Sequence, residues 1–265
     1  MNRDIEAVDA ADPRLETYRS LSDAELLRSR GLFVAEGRLV VRRVAEDARY
    51  RFVSVVVNDA ACRDLADVLT ALPATVPVLV ASGRTLEDVT GYHVHRGCLA
   101  LVERPPLTSI EDVTRREGAV VVLEGVSNAD NVGAVFRNAA ALGAAGVVLS
   151  PTCCDPFYRK AVRTSMGAVL RVPYARAESW PEALARIAAA GRRVVALTPR
   201  ASQSIGEFAR LERREPIALV AGTEGDGLSS EVEAMTDARV SIPMAEGVDS
   251  LNVAVALGIA LYALA

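Results

Sequence analysis

Six short apolar segments, separated by helical segments, alternate through the second half of the chain. The predicted strands cover residues 119–123, 146–149, 169–173, 193–197, 216–221 and 239–242. The intervening helices are predicted at residues 132–142, 156–167, 180–190, 229–236 and 250–264. Uninterrupted apolar strands between helices are typical of a parallel sheet that is covered on both faces. The alternation therefore predicts an α/β domain over residues 108–265.

The first 107 residues predict a smaller α/β domain. Residues 1–18 are polar and acidic and predict a loose arm, and residues 21–47 carry a helical pattern. Strands are predicted at 52–58, 76–80 and 98–102, and helices at 61–72 and 82–90. The pair Pro105-Pro106 interrupts the pattern, so we place the domain boundary after residue 107.

Charge and cysteine content exclude several classes of protein. The net charge is −4, so no overall positive field indicates a nucleic-acid partner. The four cysteines form no C-x-x-C pair and the only histidines are His93 and His95, so a metal site is not expected. The first 20 residues are charged and lack an apolar signal region. We expect a soluble cytoplasmic protein without a metal ion.

The C-terminal helical segment is apolar on nearly every side. A surface helix would show one polar face, and a membrane span needs roughly 20 apolar residues, which this segment does not reach. We therefore expect it to be buried within the protein or between two copies. Asp249 or Ser250 is the expected N-cap, and Ser250 and Asn252 lie where free backbone N–H groups could hold a ligand. The alternative is a capped core helix without a ligand.

A polar motif lies between the first strand and the first helix of the second half. It reads Glu-Gly-Val-Ser-Asn-Ala-Asp-Asn-Val-Gly-Ala-Val-Phe-Arg-Asn over residues 124–138. Asn131 is a plausible N-cap, and Gly133 would permit close backbone approach. Arg137 would require an anionic partner if it were buried in this apolar helix. The alternative is a solvated arginine on the outer face.

Two further motifs follow. Residues 156–177 contain five basic side chains and no acidic one: Arg159, Lys160, Arg163, Arg171 and Arg176. Phosphate contact is the functional interpretation of this run, and a solvated basic face is the alternative. Cys153 and Cys154 are interpreted as small buried residues rather than nucleophiles. The glycines of residues 222–227 run G-x-x-G-x-G, unlike a dinucleotide site, and Glu224 disfavours a phosphate ligand there.

In this order the motifs resemble those of the SPOUT class of RNA methyltransferases, in the SpoU/TrmH branch that methylates ribose 2′-hydroxyls. The resemblance covers residues 119–265. It is carried by Asn131-Val-Gly133 with Arg137, Arg163–Gly167, Gly222–Leu228, Ile242-Pro-Met244 and Ser250-Leu-Asn252. The family often has Asp-Pro at residues 128–129, where this chain has Asn-Ala. Residues 30–37 look like the opening of the small substrate-binding domain that many of these enzymes carry.

The resemblance implies a deep trefoil knot at the C-terminal end of a parallel sheet and a homodimer. It implies that S-adenosylmethionine binds in the knot, at Thr198, Gly222, Gly225, Ile242, Met244 and Leu251. It implies that Arg137 activates a ribose 2′-hydroxyl of rRNA or tRNA, and that the side chains orienting the arginine and the sugar are Asn131, Glu224, Ser250 and Asn252.

Two basic groups suggest that the RNA is contacted at two places. The N-terminal group would select the RNA by shape and comprises Arg28, Arg30, Arg38, Arg42 and Arg43. The second would seat the target ribose and comprises Arg159, Lys160 and Arg163. A fragment of residues 108–265 is then expected to fold, dimerise and bind the cofactor but to methylate its RNA poorly. The alternative functions are a non-catalytic RNA-binding protein and a nucleotide-linked oxidoreductase.

Overall fold

The computed structural model describes residues 6–19, 22–91, 94, 96–211, 215–223 and 225–265. The strands are β1 (Glu6–Ala7), β2 (Leu32–Glu36), β3 (Phe52–Val57), β4 (Val78–Val80), β5 (Cys98–Glu103), β6 (Val120–Leu123), β7 (Gly146–Leu149), β8 (Tyr174–Arg176), β9 (Arg193–Leu197), β10 (Ile217–Ala221) and β11 (Ala238–Val240). The α-helices are α1 (Glu16–Arg19), α2 (Asp23–Glu25), α3 (Arg38–Ala45), α4 (Asp59–Asp64), α5 (Ala66–Ala71), α6 (Gly83–Thr90), α7 (Ile110–Thr114), α8 (Ala129–Ala141), α9 (Arg159–Thr164), α10 (Ala183–Ala189), α11 (Ile205–Leu211), α12 (Ser230–Ala234) and α13 (Val253–Leu264).

The described chain divides into two compact units. The first comprises the described residues up to Pro105 together with Phe157–Leu170, and the second comprises Pro106–Pro156 and Arg171–Ala265. The expected boundary after residue 107 lies two residues from the first division point. No local pattern indicates that residues 157–170 pack with the first unit, because that assignment depends on contacts distant in sequence.

The second unit contains a parallel six-stranded sheet in the order β11-β9-β10-β6-β7-β8. The prediction of a parallel α/β fold is confirmed for this unit. The predicted strand at 169–173 is wrong, because residues Ala168–Leu170 form a 3₁₀-helix and Tyr174–Arg176 form the edge strand. Val169 and Leu170 are 2% exposed, so their apolar character reflects packing outside the sheet. Helices α7 and α11 were not predicted.

Arg192 is buried at the amino end of the sheet with no carboxylate partner in the described chain. Only 5% of the residue is exposed. Its Nε donates to the Thr114 carbonyl at 2.9 Å, and its Nη atoms donate to the carbonyls of Arg116 and Gly118. Burial lowers the pKa of Arg192 from its ordinary value, and an arginine still keeps its proton at neutral pH. The guanidinium therefore ties the chain after α7 to the start of β9.

Replacement of Arg192 with methionine is expected to lower the free energy of unfolding by about 2–4 kcal/mol. The substitution fills part of the space but leaves buried carbonyls without donors. Urea unfolding measures the change. The control is Arg186→Met, because Arg186 has a half-exposed side chain paired with Glu111 and should cost less than about 1 kcal/mol. Equal losses in the two variants would contradict the structural role of Arg192.

The first unit contains a mixed five-stranded sheet in the order β1-β4-β3-β5-β2. The predicted helical pattern over residues 21–47 is wrong at Leu32–Glu36, which pairs antiparallel with β5. This short apolar run lies between Gly31 and Gly37, whose φ values are 63° and 93°. Left-handed glycines end the preceding helix and begin the next one, so the run between them is free to extend.

The N-terminal arm is packed in its described part. Residues Glu6–Ala7 pair with β4 as a strand, and Leu15 and Tyr18 are 1% and 5% exposed. The Tyr18 hydroxyl lies 2.7 Å from the Ser54 hydroxyl. The expectation of a loose arm is therefore wrong for residues 6–18. The arm is polar overall, but the side chains of Leu15 and Tyr18 enter the core of the first unit.

Residues 157–170 are anchored in the first unit by aromatic and polar contacts. The Phe157 ring lies 4.5 Å from the Phe33 ring between centroids. The Arg159 Nε donates to Asp23 at 2.8 Å, and the Tyr50 hydroxyl donates to the Leu170 carbonyl at 2.8 Å. A fragment of residues 108–265 would expose Phe157 and remove the partners of this segment. These contacts count against the expectation that the fragment folds alone.

Candidate functional site

A cavity of about 320 Å³ lies at the carboxyl ends of the second unit's strands β9, β10 and β11. This is the edge of a parallel sheet at which ligands commonly bind. The lining residues come from four segments of the chain: Leu197, Thr198, Pro199, Ala221, Gly222, Thr223, Gly225, Gly227, Ile242, Met244, Asp249, Ser250, Leu251, Val253 and Ala256. The structure thus brings together all six positions that the sequence suggested for the cofactor.

The loop after β10 is closed by two backbone hydrogen bonds. The N–H groups of Thr223 and Gly227 each donate to the other residue's carbonyl at 3.2 Å. Gly225 and Gly227 have φ values of 104° and 74°, which other residues rarely adopt. Glu224, which the sequence placed in the site, lies outside the described residues. Three of the four described loop residues that line the cavity are glycines, which have only backbone atoms: Gly222, Gly225 and Gly227.

The lining suits a nucleoside without phosphate. Small-molecule pockets usually occupy about 300–1,000 Å³ and are mostly apolar with a few polar groups. Among the described lining residues, Asp249 is the charged one, and lysine and arginine are absent. A carboxylate disfavours phosphate and favours a cationic ligand. S-adenosylmethionine, with its adenine ring, amino group and sulfonium charge, fits this set of atoms.

Two asparagines join the start of α8 to the start of α13. The Asn252 Nδ2 donates to the Asn131 Oδ1 at 2.8 Å, and the Asn252 Oδ1 accepts from the N–H groups of Ala254 and Val255. The expected cap of the last helix at Asp249 or Ser250 is therefore wrong, because Asn252 caps it. The expected cap of α8 at Asn131 is also wrong, since Asn128 accepts from the Asp130 N–H at 2.8 Å.

Asn138 forms a second tie between α8 and α13 that the sequence analysis missed. Its Nδ2 donates to the Ala254 carbonyl at 2.6 Å. A Cβ atom on Gly258 would lie 3.0 Å from that nitrogen, so glycine leaves room for the contact. Asn131 and Asn138 are seven residues apart, about two helical turns, and therefore share one face of α8. The signal available in the sequence was Gly258, a glycine inside an otherwise apolar helix, together with the polar Asn138 in α8.

Arg137 is exposed on α8 and has no hydrogen-bond or ion-pair partner among the described residues. An anionic partner would be required only if Arg137 were buried, so the exposed side chain needs none. Ser250 is exposed and lines the cavity. The structure thus joins Asn131 with Asn252, places Ser250 at the cavity, and leaves the Arg137 guanidinium free to contact a substrate.

The cysteines of the second unit are buried, and no metal-ligand group is found among the described residues. Cys153 and Cys154 are 6% and 7% exposed, which confirms their interpretation as buried residues. The described residues contain no group of three potential metal ligands, while His93 and His95 lie outside them. No helix in the described ranges is long and apolar enough to cross a bilayer.

All eight basic residues suggested for RNA belong to the first unit. Several have partners there: Arg38 pairs with Asp64, Arg42 with Asp67, Arg159 with Asp23 and Arg163 with Glu36. Arg43 donates to the Met166 carbonyl. The sequence placed the basic run at residues 159–163 in the C-terminal domain. That placement is wrong, because the run belongs to the first unit. Arg176, in the second unit, donates to the carbonyls of Pro151 and Cys153.

Comparison with known proteins agrees with this geometry. A protein of Mycobacterium tuberculosis strain H37Rv, named an uncharacterized tRNA/rRNA methyltransferase, is 40% identical over 259 residues, which are 96% of this chain and 89% of that protein. An AdoMet-bound rRNA methyltransferase from Sinorhizobium meliloti superposes with a TM-score of 0.83 at 28% identity, covering 98% of this chain and 97% of that one. A structure titled RNA 2′-O ribose methyltransferase gives a TM-score of 0.80 at 26% identity, with 98% of each chain covered.

The family comparison covers the second unit's sheet and cavity. The model of the SpoU rRNA Methylase family matches residues 118–262, more than half of the chain. This range includes α8, the loop after β10 and nearly all of α13. The chain belongs to the SpoU rRNA methylase family and is an RNA methyltransferase that uses S-adenosylmethionine.

Proposed function

We propose that the protein transfers a methyl group from S-adenosylmethionine, bound in the cavity of the second unit, to a ribose 2′-hydroxyl of rRNA or tRNA. The observation that carries this proposal is the direct Asn131–Asn252 hydrogen bond. It fixes the helix that bears Arg137 against the helix whose first turns line the cavity. The structural neighbour titled RNA 2′-O ribose methyltransferase supports ribose over base as the target.

The side chains would act by holding the reactive groups and stabilising charge. A ribose hydroxyl is a weak acid, so its oxygen needs stabilisation as the proton leaves. Arg137 is suited to hold the adjacent phosphate and the developing alkoxide, because a guanidinium rarely gives up its own proton. Asn131, Ser250, Asn252 and Glu224 would orient the arginine and the sugar. S-adenosylmethionine supplies the electrophilic methyl group.

The proposal includes the deep trefoil knot of the SPOUT class. After the edge strand β11 the chain passes the cavity, and α13 then packs against α8 and α11. The proposal is that this returning segment passes through a loop of the chain, which is what a trefoil knot requires. A cytoplasmic location goes with an rRNA or tRNA substrate and stays a prediction.

The test uses the full chain, methyl-labelled S-adenosylmethionine and total RNA from a strain that lacks the gene. We expect label in rRNA or tRNA, and we expect it to remain on alkali-resistant dinucleotides, because a 2′-O-methyl group blocks strand cleavage at that position. Label that appears on nucleobases would contradict the ribose assignment. RNA that binds but gains no label would favour the non-catalytic alternative.

The basic residues of the first unit are proposed to contact RNA phosphates. Arg28 and Arg30 are exposed, and no carboxylate pairs with either within the described chain. Arg38 and Arg42 are partly neutralised by Asp64 and Asp67. The first pair should therefore carry more of the attraction for RNA than the second.

Replacement of both Arg28 and Arg30 with alanine is expected to weaken RNA binding and to flatten its salt dependence. Each lost phosphate contact should lower the slope of log affinity against log salt by roughly one unit. Filter binding at several salt concentrations measures the slope. The control is Arg14→Ala, because Arg14 is already paired with Glu6 and Asp12. An unchanged slope in the double variant would remove these residues from the RNA surface.

A homodimer through α13 is also proposed. Val255, Ile259 and Tyr262 are 50%, 40% and 75% exposed and lie on one side of the helix, while Leu257 is fully buried within the protomer. An exposed apolar stripe on a helix commonly marks an interface. A second copy of this chain would cover the stripe. Substitution at Leu257 would test the core of the protomer rather than the dimer.

Ile259→Glu is expected to convert the dimer to a monomer at micromolar concentration. A buried unpaired carboxylate at the interface costs several kcal/mol, whereas it would be solvated in the monomer. Light scattering measures the mass. Leu107→Glu is the control, because Leu107 is 48% exposed in the same unit but lies outside α13. A monomeric wild-type protein, or a dimeric Ile259→Glu variant, would exclude this interface.

A further inference from the structure

The carboxylate of Glu124, directly after β6, accepts three hydrogen bonds. Its Oε1 accepts from the Trp180 Nε1 at 2.9 Å and from the Ser229 hydroxyl at 2.8 Å. Its Oε2 accepts from the Ser229 N–H at 2.9 Å. All three partners are donors. A carboxylate has acceptor positions on both oxygens, so a glutamate side chain suits all three donors.

The same residue holds both ends of the glycine loop. The backbone N–H of Glu124 donates to the Ala221 carbonyl at 2.9 Å, where the loop leaves β10. The carboxylate holds Ser229, the N-cap of α12, where the loop ends. The loop between these points supplies Gly222, Thr223, Gly225 and Gly227 to the cavity. Glu124 itself does not line the cavity.

From this arrangement we infer that Glu124 is a positioning residue for S-adenosylmethionine. It sets the span of the glycine loop and thereby the backbone groups that the loop presents to the cofactor. The inference rests on the proposed placement of the cofactor in this cavity. Because Glu124 acts through Ser229 and does not touch the ligand, its loss should affect cofactor affinity more than the chemical step.

Ser229 connects the carboxylate to the helix that follows. The Ser229 hydroxyl donates to Glu124 and also accepts from the Val232 N–H at 3.3 Å. The serine therefore needs an acceptor on Glu124 in order to keep its orientation as a cap. Glutamine at position 124 would retain one acceptor oxygen but would direct an amide N–H towards one of the three donors. Glu124→Gln thus keeps the size of the side chain and removes one interaction.

The experiment measures S-adenosylmethionine binding by calorimetry and methylation kinetics on the full chain. Glu124→Gln is expected to raise the Kd and the KM for S-adenosylmethionine about tenfold or more, with kcat within about threefold of wild type. Ser229→Ala should raise the Kd in the same direction. If Glu124 acts through Ser229, the double variant should bind more tightly than the product of the two single effects predicts.

Glu111→Gln is the matched control, because Glu111 is a carboxylate of the same unit paired with Arg186 and does not line the cavity. It removes the same charge and should leave the Kd within about twofold. A Kd within about twofold of wild type for Glu124→Gln would overturn the inference. So would an equal loss of kcat and affinity, which indicates general disruption. If Glu124→Gln does not fold, an unchanged Kd for Ser229→Ala would overturn it instead.

A cavity-filling variant separates this inference from the proposed cofactor site. Ile242 lines the cavity and is partly exposed. Ile242→Trp should prevent S-adenosylmethionine binding if the cavity is the cofactor site. Binding by Ile242→Trp would overturn the site and the inference with it. Loss of binding in Ile242→Trp together with normal binding in Glu124→Gln would retain the site and overturn the role of Glu124 alone.

Discussion

Arg137→Ala is expected to lower kcat for RNA methylation at least about 100-fold while the Kd for S-adenosylmethionine stays within about threefold. Removal of one group that stabilises developing charge commonly costs a factor of this size. The affinity should be preserved because Arg137 lies on α8 and is not among the residues that line the cavity. Single-turnover methylation and calorimetry measure the two quantities separately.

Structural damage does not account for such a loss, because Arg137 is exposed and has no partner among the described residues. The free energy of unfolding should therefore change by less than about 0.5 kcal/mol. Arg115→Ala is the matched control, since Arg115 is an exposed arginine of the same unit paired with Asp112. It should retain full activity.

Arg137→Lys distinguishes the charge from the shape of the guanidinium. Lysine keeps the positive charge but cannot make the paired, coplanar hydrogen bonds that arginine makes to phosphate. We expect activity between those of wild type and Arg137→Ala. Activity of Arg137→Ala within about tenfold of wild type would contradict the proposed role. Equal losses in Arg137→Ala and Arg115→Ala would indicate a general effect of charge.

Five of the six strands of the second unit could be predicted because their signal is local. Residues Val120–Leu123 and Gly146–Leu149 are fully buried, so every position along each strand is apolar or small. Strand β2 could not be recognised in the same way. Its five residues lie between two helical segments, and their extended form depends on antiparallel pairing with β5, which lies more than 60 residues later.

The site was predicted in its composition better than in its geometry. The cofactor positions were implied by the family resemblance, and the structure places them around one cavity at the edge where parallel strands end. The cap of α13 could not be foreseen, because Asp249, Ser250 and Asn252 are all suitable residue types. The choice of Asn252 accompanies a hydrogen bond to Asn131, 121 residues earlier, which no local pattern reports.

The packing of residues 157–170 in the first unit also could not be predicted, because it depends on residues far away in the sequence. Their basic and apolar pattern predicted a helix, and α9 confirms it over Arg159–Thr164. Contacts from the first part of the chain decide the unit to which this segment belongs. Phe33 and Tyr50 pack on Phe157 just before α9, and Asp23 accepts from Arg159 within it. Contacts at this sequence separation decide domain membership, and the spacing of residues within one segment does not encode them.

Gly222→Ala is expected to weaken S-adenosylmethionine binding at least about 100-fold. A Cβ atom on Gly222 would lie 2.0 Å from the Gly227 carbonyl oxygen and 2.2 Å from its carbonyl carbon. These are backbone atoms and cannot turn aside as a flexible side chain could, so the two strands of the loop must separate.

Separation of the loop would break the paired hydrogen bonds between Thr223 and Gly227. Three cavity-lining residues would then move: Gly222, Thr223 and Gly227. A displacement of about 1 Å in backbone groups that hold a ligand removes most of their contribution to binding, because hydrogen bonds weaken steeply with distance and angle. Methylation should fall with the loss of affinity, and saturating S-adenosylmethionine should restore part of it.

Gly206→Ala is the matched control for this substitution. Gly206 lies in α11, has an ordinary φ, and a Cβ atom there would meet nothing within 4 Å. Alanine is the better helix former, so this variant should be unchanged in affinity and more stable by up to about 1 kcal/mol. Calorimetry gives the affinities, and thermal unfolding shows whether each variant retains a cooperative fold. A folded Gly222→Ala protein that binds S-adenosylmethionine within about fivefold of wild type would show that the closed loop is not required for the cofactor site.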